Sequence, residues 1–176
     1  MIDESAVGTV QDSAVLETEK IISAPNGSKT LLVTYGARNA HGSPIKVTGL
    51  VTFPEGEAPE GGWPVVSWGH GTTGMADDCA PSRSQVDQTT GVYTSVMDEV
   101  TTGLVEQGYA VVRTDYEGLG TPGPHPYLMG RSAGASMADI VLAARELEPD
   151  LSTRWVAMGH SQGAHAALFT GEFTGA

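Results

Sequence analysis

The chain has 176 residues, enough for one domain. Against 21 Asp and Glu stand 9 Lys and Arg, a formal net charge of −12. That balance excludes a phosphate-neutralising nucleic-acid surface and a basic helix lying on a membrane. Hydrophobic residues at 40% and charged residues at 17% allow a buried core, and 23 glycines imply many tight turns.

Residues 1–28 read as a polar, irregular N-terminal arm, acidic at the start and without the basic and apolar regions of a signal peptide. The triplet Asn26-Gly27-Ser28 is a glycosylation sequon, too common a pattern to decide anything. Residues 31–35 are rich in β-formers and closed by Gly36, and 45–53 alternate apolar and polar before Pro54. The two runs predict an antiparallel pair with one wet face. Residues 55–62 are a Gly- and Glu-rich surface loop. From there the rhythm changes. Residues 64–68 form a short apolar strand of the kind buried on both faces; Val96, Val100 and Leu104 recur at helical spacing before Gly108, a C-cap glycine. Residues 109–114 are a second buried strand. Met137, Ile140, Val141, Ala144 and Leu147 make one apolar helical stripe that Pro149 terminates. Residues 155–158 are a third buried strand, followed by a small-residue helix. Strand and helix in alternation, with continuous apolar strands, predict parallel βαβ units: an α/β fold with helices on both faces of the sheet.

At the end of the third buried strand stands Gly159-His160-Ser161-Gln162-Gly163. A serine on a sharp strand-to-helix turn needs neighbours without side chains two positions away on each side, because those positions crowd the turn. The strained turn lifts the hydroxyl clear of the sheet, and the helix that opens there aims its amide dipoles at developing negative charge. Ala164, Ala166, Ala167 and Leu168 supply the helix this elbow requires. A second glycine-rich loop, Gly69-His70-Gly71-Thr72-Thr73-Gly74, closes the first buried strand. By position, its Thr72 or Thr73 amide and the Gln162 amide are the candidate oxyanion donors. Gly118-Leu119-Gly120-Thr121-Pro122-Gly123 matches a dinucleotide-binding pattern, but that motif must open a helix, and Pro122, Pro124 and Pro126 forbid one. The acid such a motif needs would be Asp139, which falls inside a helix and not at a strand end. A single cysteine, Cys79, excludes an internal disulfide framework and a Cys-rich zinc site, and no apolar run approaches the length of a membrane span.

Four motifs in order carry a resemblance: residues 67–74; Asp115-Tyr116-Glu117-Gly118-Leu119-Gly120-Thr121; residues 127–134; and residues 159–167. Together they resemble the secretory lipase family of α/β-hydrolases, which includes lipase A-like fungal lipases and bacterial esterases. The likeness runs from about residue 30 to the end of the sequence. The resemblance implies a secreted carboxylic-ester hydrolase acting on acylglycerols or smaller esters, with no cofactor and no metal. Ser161 matches the nucleophile, Gly159, His160 and Gly163 its elbow, and Gln162 with Thr72 or Thr73 the oxyanion hole. His70, Gly71, Asp115 and Tyr116 fall where the pocket is shaped.

An acyl-serine mechanism also needs a base and a carboxylate to orient it, in this fold later in the chain than the serine. Beyond Ser161 stand only His165 and Glu172. His165 lies one turn along the helix, about 6 Å down its axis, and is the weaker candidate for a base than for a packed helix histidine. His41 and His125 sit in loops and carry no motif. The sequence therefore reads as an N-terminal arm (1–28) and an incomplete α/β-hydrolase domain (29–176), interrupted before its acid, its histidine and its later strands. On that reading the strand at 155–158 is an apolar edge, open to a second copy or a companion chain, and Cys79 is a thiol parted from its partner. Two other classes fit the same residues: a catalytically incompetent, partner-completed binding module, and a peptidase or acyltransferase, which share the acyl-serine step.

Overall fold

The computed structural model describes residues 2–15, 27–83 and 89–174, with 89–95 and 173–174 described by main chain alone. Asn26 of the sequon, and 16–26 of the predicted arm, lie outside the described residues. One sheet contains β1 Val10–Val15, β2 Ser28–Arg38, β3 Pro44–Pro54, β4 Trp63–Gly69, β5 Ala110–Thr114 and β6 Leu151–Gly159. Its strand order is β1-β2-β3-β5-β4-β6. The pairings from β1 through β3 to β5 are antiparallel, and those of β5 with β4 and β4 with β6 are parallel. The helices are α1 Thr89–Glu106, α2 Gly130–Leu147 and α3 Gln162–Thr174.

Alternation along the central strands explains their continuous apolar sequences. Val65 of β4, Ala110 and Val112 of β5, and Val33 and Tyr35 of β2 turn toward α2, where they meet Ile140, Val141 and Ala144. Val66 and Trp68 of β4 and Val111 of β5 face the other way, against Val105 and the partly buried Met97 and Leu104 of α1. Each fully buried Val or Ile side chain among them contributes about 1.5–3 kcal/mol by leaving water. The Tyr35 hydroxyl, buried in the first layer, lies 2.6 Å from Thr114 Oγ1 and 2.9 Å from the Ser136 carbonyl. That contact ties β2 to β5 and α2, and burial pushes the phenol well above its ordinary pKa.

Three local expectations are revised. The run at 155–158, read as a third buried strand, lies in β6 at the edge of the sheet beyond β4, with Val156 and Met158 exposed. Within the stretch read as irregular, Val10–Val15 pairs antiparallel with β2 as the edge strand, and the Val10 amide donates to the Glu146 carboxylate at 2.8 Å. On α1 the predicted stripe is split: Leu104 packs partly buried against the core, whereas Val96 and Val100 are 51% and 38% exposed. Asp98, Thr101 and Val105 are buried instead, and Asp98 forms an ion pair with Arg113 of β5 at 2.5 Å. The ion pair ties this face of α1 to β5. Gly108 ends α1 as anticipated, at φ +86°, with Tyr109 N–H donating to the Leu104 carbonyl and Gly108 N–H to Val105.

Candidate active site

Parallel pairing of β4 with β6 sets Gly69 opposite Gly159, so the loops leaving these two strands emerge side by side. This is the carboxyl end of the parallel strands, where open α/β sheets form their ligand crevices. Ser161 sits in the turn between β6 and α3, solvent-exposed, at φ +55°. A non-glycine residue in that region is strained and persists only where its surroundings over-determine it. The surroundings do so through close main-chain contacts. A Cβ on Gly163 would lie 1.9 Å from the Gly69 carbonyl oxygen, and one on Gly159 would lie 2.4 Å from the Gly163 carbonyl. Hydrogen bonds lock the same turn: His160 N–H donates to the Gly69 carbonyl at 3.2 Å and Gly163 N–H to the His160 carbonyl at 2.8 Å. Glycine at both positions is thus a steric requirement of this β4–β6–α3 junction.

The loop after β4 is held from beneath. The His70 ring is buried and stacks on Tyr116 with centroids 4.4 Å apart. Its Nδ1 lies 2.6 Å from the Gly71 carbonyl and its Nε2 3.3 Å from that of Asp115. Burial lowers its pKa from the usual 6.5, with the two carbonyl contacts opposing. Tyr116, at φ +71°, returns its hydroxyl to the His70 carbonyl at 3.1 Å. The Asp115 carboxylate points elsewhere, accepting from Ser82 N–H at 2.9 Å, from the Ser82 hydroxyl and from Thr48 Oγ1 at 2.6 Å. It fastens the 77–83 turn to β3. Thr72 is exposed, with its hydroxyl 3.1 Å from that of Tyr127, whereas the Thr73 hydroxyl is buried without a partner among the described residues.

Gln162 opens α3 with its side chain buried, its Nε2 2.9 Å from His125 Nε2. His125 has no motif around it in the sequence; the fold brings it in across 37 residues. His165 is half-buried and its ring packs on Phe169, centroids 4.7 Å apart, while only its main-chain N–H reaches back to the Ser161 carbonyl. The segment after β5 runs as turns up to α2, so the Gly118 to Gly123 pattern opens no helix. Among the described residues no cluster of metal-ligating side chains occurs, and no helix is long and apolar enough to cross a membrane.

The family model of the secretory lipases matches residues 83–175, which takes in the turn and everything that packs under it from α1 onward. The chain belongs to the secretory lipase family. The solved structure of the rice cell wall degrading esterase LipA from Xanthomonas oryzae is similar at 30% identity and a TM-score of 0.75, over 97% of this chain and 46% of that one. Candida antarctica lipase A in its closed state is similar in fold, at 21% identity and a TM-score of 0.77, over 97% of this chain and 39% of that one. A putative hydrolase from Legionella pneumophila gives 21% identity and a TM-score of 0.72, over 93% of this chain and 47% of that one. No curated protein matches the sequence. The family's α/β-hydrolase fold is thus present, and the chain spans less than half the length of each of these structures.

Proposed function

We propose that this chain carries the nucleophile and oxyanion hole of a serine carboxylic-ester hydrolase, a lipase or esterase exported as the family's name implies. The observation that carries the reading is Ser161 at φ +55° in a turn closed by main-chain contacts that only glycine permits. Ser161 Oγ attacks the ester carbonyl carbon while its proton passes to a base. The Gln162 amide and an amide of the Thr72, Thr73 loop hold the oxyanion, the alcohol leaves with a proton, and water releases the acyl group. His165 is not assigned as the base, because its ring is committed to Phe169. No acid or base is assigned within residues 29–176. The four motifs and the likeness to a plant cell wall degrading esterase favour esters over peptides and over acyl transfer to other acceptors.

The test is labelling by a fluorophosphonate probe, with hydrolysis of short p-nitrophenyl esters, using the full product of the reading frame that holds this chain. Ser161→Ala is expected to abolish labelling and to lower kcat about 10⁴-fold or more. Equal turnover by the variant, or labelling at another serine, overturns the reading. A partner-completed binding module is a second reading, favoured by the outer side of β6 and α3, where Val156, Met158 and Leu168 are 48%, 40% and 79% exposed. It requires a defined oligomer or complex with no labelling of Ser161.

A further inference from the structure

We infer that His125 is a positioning residue for the oxyanion hole, acting through the Gln162 side chain; the inference rests on the esterase reading above. Two contacts select one tautomer of the ring. Gln162 Nε2 carries only hydrogens, so His125 Nε2, 2.9 Å away, must accept from it. The Glu117 carbonyl, 2.7 Å from His125 Nδ1, can only accept, so Nδ1 must carry the proton. The two demands agree on one species, the neutral Nδ1–H tautomer. Turning the Gln162 amide over would face Nε2 with an oxygen and demand a proton on both nitrogens.

The ring is fixed as well as polarised. It is 5% exposed, lies nearly parallel to Tyr116 at 6.3 Å and meets Tyr127 edge-on at the same centroid distance. Glu117, which receives its Nδ1–H, is itself anchored by the Ser132 hydroxyl at the start of α2. A line of hydrogen bonds thus runs from α2 through Glu117 and His125 to the first residue of α3.

Gln162 is the residue after Ser161, and the main-chain N–H assigned to the oxyanion belongs to it. A helix's first amides have no partner inside the helix, so their direction is set by what holds the opening turn. Ser161 is strained, and the surroundings must stop the turn from relaxing. The glycine contacts block collapse toward β4, while the buried Gln162 side chain, held by His125, fixes the rotation of the same peptide from the opposite end. Loss of that hold leaves the substrate's binding surface intact and misdirects a donor needed only when charge develops on oxygen. The consequence belongs in kcat more than in KM.

The experiment uses the full product of the reading frame and measures kcat and KM for a short ester in His125→Phe, Gln162→Met, the double variant and His125→Gln. Phenylalanine keeps a ring and removes both nitrogens. Glutamine in place of His125 brings an amide oxygen to the position of Nε2 and restores an acceptor. His125→Phe and Gln162→Met are each expected to lower kcat about 10- to 100-fold with KM within about 2-fold, and the double variant to be no worse than either. His125→Gln is expected to recover most of the loss at an unchanged thermal midpoint. Long-range 15N NMR of the wild type should show His125 protonated at Nδ1 and bare at Nε2. An Nε2–H tautomer, additive losses in the double variant, or wild-type kcat in His125→Phe overturns the inference while leaving a Ser161-dependent esterase standing. Activity that survives Ser161→Ala overturns both.

Discussion

The two flanks of β4 hold together by different means. Toward β5, β3 and β2, side chains do the sealing: Leu31, Val33, Val47, Val51 and Val112 close on Ile140, Val141 and Ala144 of α2. Toward β6 and α3 the tightest contacts are between main chains, at Gly69, Gly159 and Gly163. Beyond that seam the apolar side chains face water: Val156, Met158 and Leu168 are of the same types as the core residues, yet stay exposed. A groove of about 600 Å³, lined by Trp155, Val156, Ala167 and Thr170 among others, runs along this outer side. Apolar content makes a strand or a helix in either place; what differs is the neighbour. The flank that carries the Ser161 turn is specified by the absence of side chains, and the other by their fit.

The largest effect should come from putting a side chain into the main-chain seam. Gly163→Ala sets a methyl group against the Gly69 carbonyl oxygen at 1.9 Å, and backbone at the carboxyl end of β4, paired with β6, cannot swing aside. A loss of about 4 kcal/mol or more is expected in urea unfolding, at the upper end of what single substitutions do. Fluorophosphonate labelling of Ser161 should fall with it. An alanine variant with wild-type midpoint and labelling would mean that the seam is loose, and the contrast between the flanks would collapse.

That contrast bears on how much can be read from residues alone. The central strands β4 and β5 are legible because strands buried on both faces are continuously apolar, and the Ser161 turn because its steric demands fix glycine at two positions; β6 is as apolar but is the edge strand, with Val156 and Met158 exposed. Edge strand β1 is not: Gln11, Asp12 and Ser13 are exposed, and the strand joins the sheet through its main chain without an apolar face. The inner face of α1 mixes Met97, Leu104 and Val105 with the buried Asp98 and Thr101, and the ion pair of Asp98 with Arg113 leaves no mark on hydrophobic periodicity. His125 is hidden for a related reason. Its partners, Glu117 and Gln162, are 8 residues before it and 37 after it, and only the fold makes them neighbours. The bare outer side of β6 and α3 is legible again, in the apolar strand and the small-residue helix.

The side-chain flank has its own weak point, and pH finds it. Asp139 on α2 is 7% exposed, with the Arg38 main-chain N–H 3.2 Å from its Oδ2. Burial raises its pKa from 3.8 to about 6, against the opposing pull of the Arg38 amide and charge. Between those values the folded chain holds more protons than the unfolded one. The contribution to stability is therefore full below 3.8 and is lost as pH rises through 6. Asp139→Asn keeps an oxygen for Arg38 and removes the ionisation. It should stabilise the chain by about 2 kcal/mol at neutral pH and flatten the slope from Asp139. His70 contributes the reverse slope, since its lowered pKa removes stability as pH falls below 6.5, and that slope should remain in the variant. Urea midpoints measured across this range separate the two, and an unchanged Asp139 slope would place the titration elsewhere.

The smallest effect is expected on the outer face. Leu168 on α3 is 79% exposed and Val156 on β6 48% exposed, so neither side chain gains much from folding. Leu168→Ser with Val156→Thr should shift stability by no more than about 0.5 kcal/mol, as for other exposed positions. Their expected consequence lies in association, because an apolar patch beside a strand edge that has no partner among the described residues is a place for chains to meet. Sedimentation velocity should show less self-association in the double variant, with the urea midpoint unmoved. A loss above about 1 kcal/mol would mean that these side chains are packed in solution, since that is the scale of a buried contact and beyond that of an exposed one. The open flank would then be closed by a neighbour, and the difference between the two sides of β4 would lie between chains and not within one.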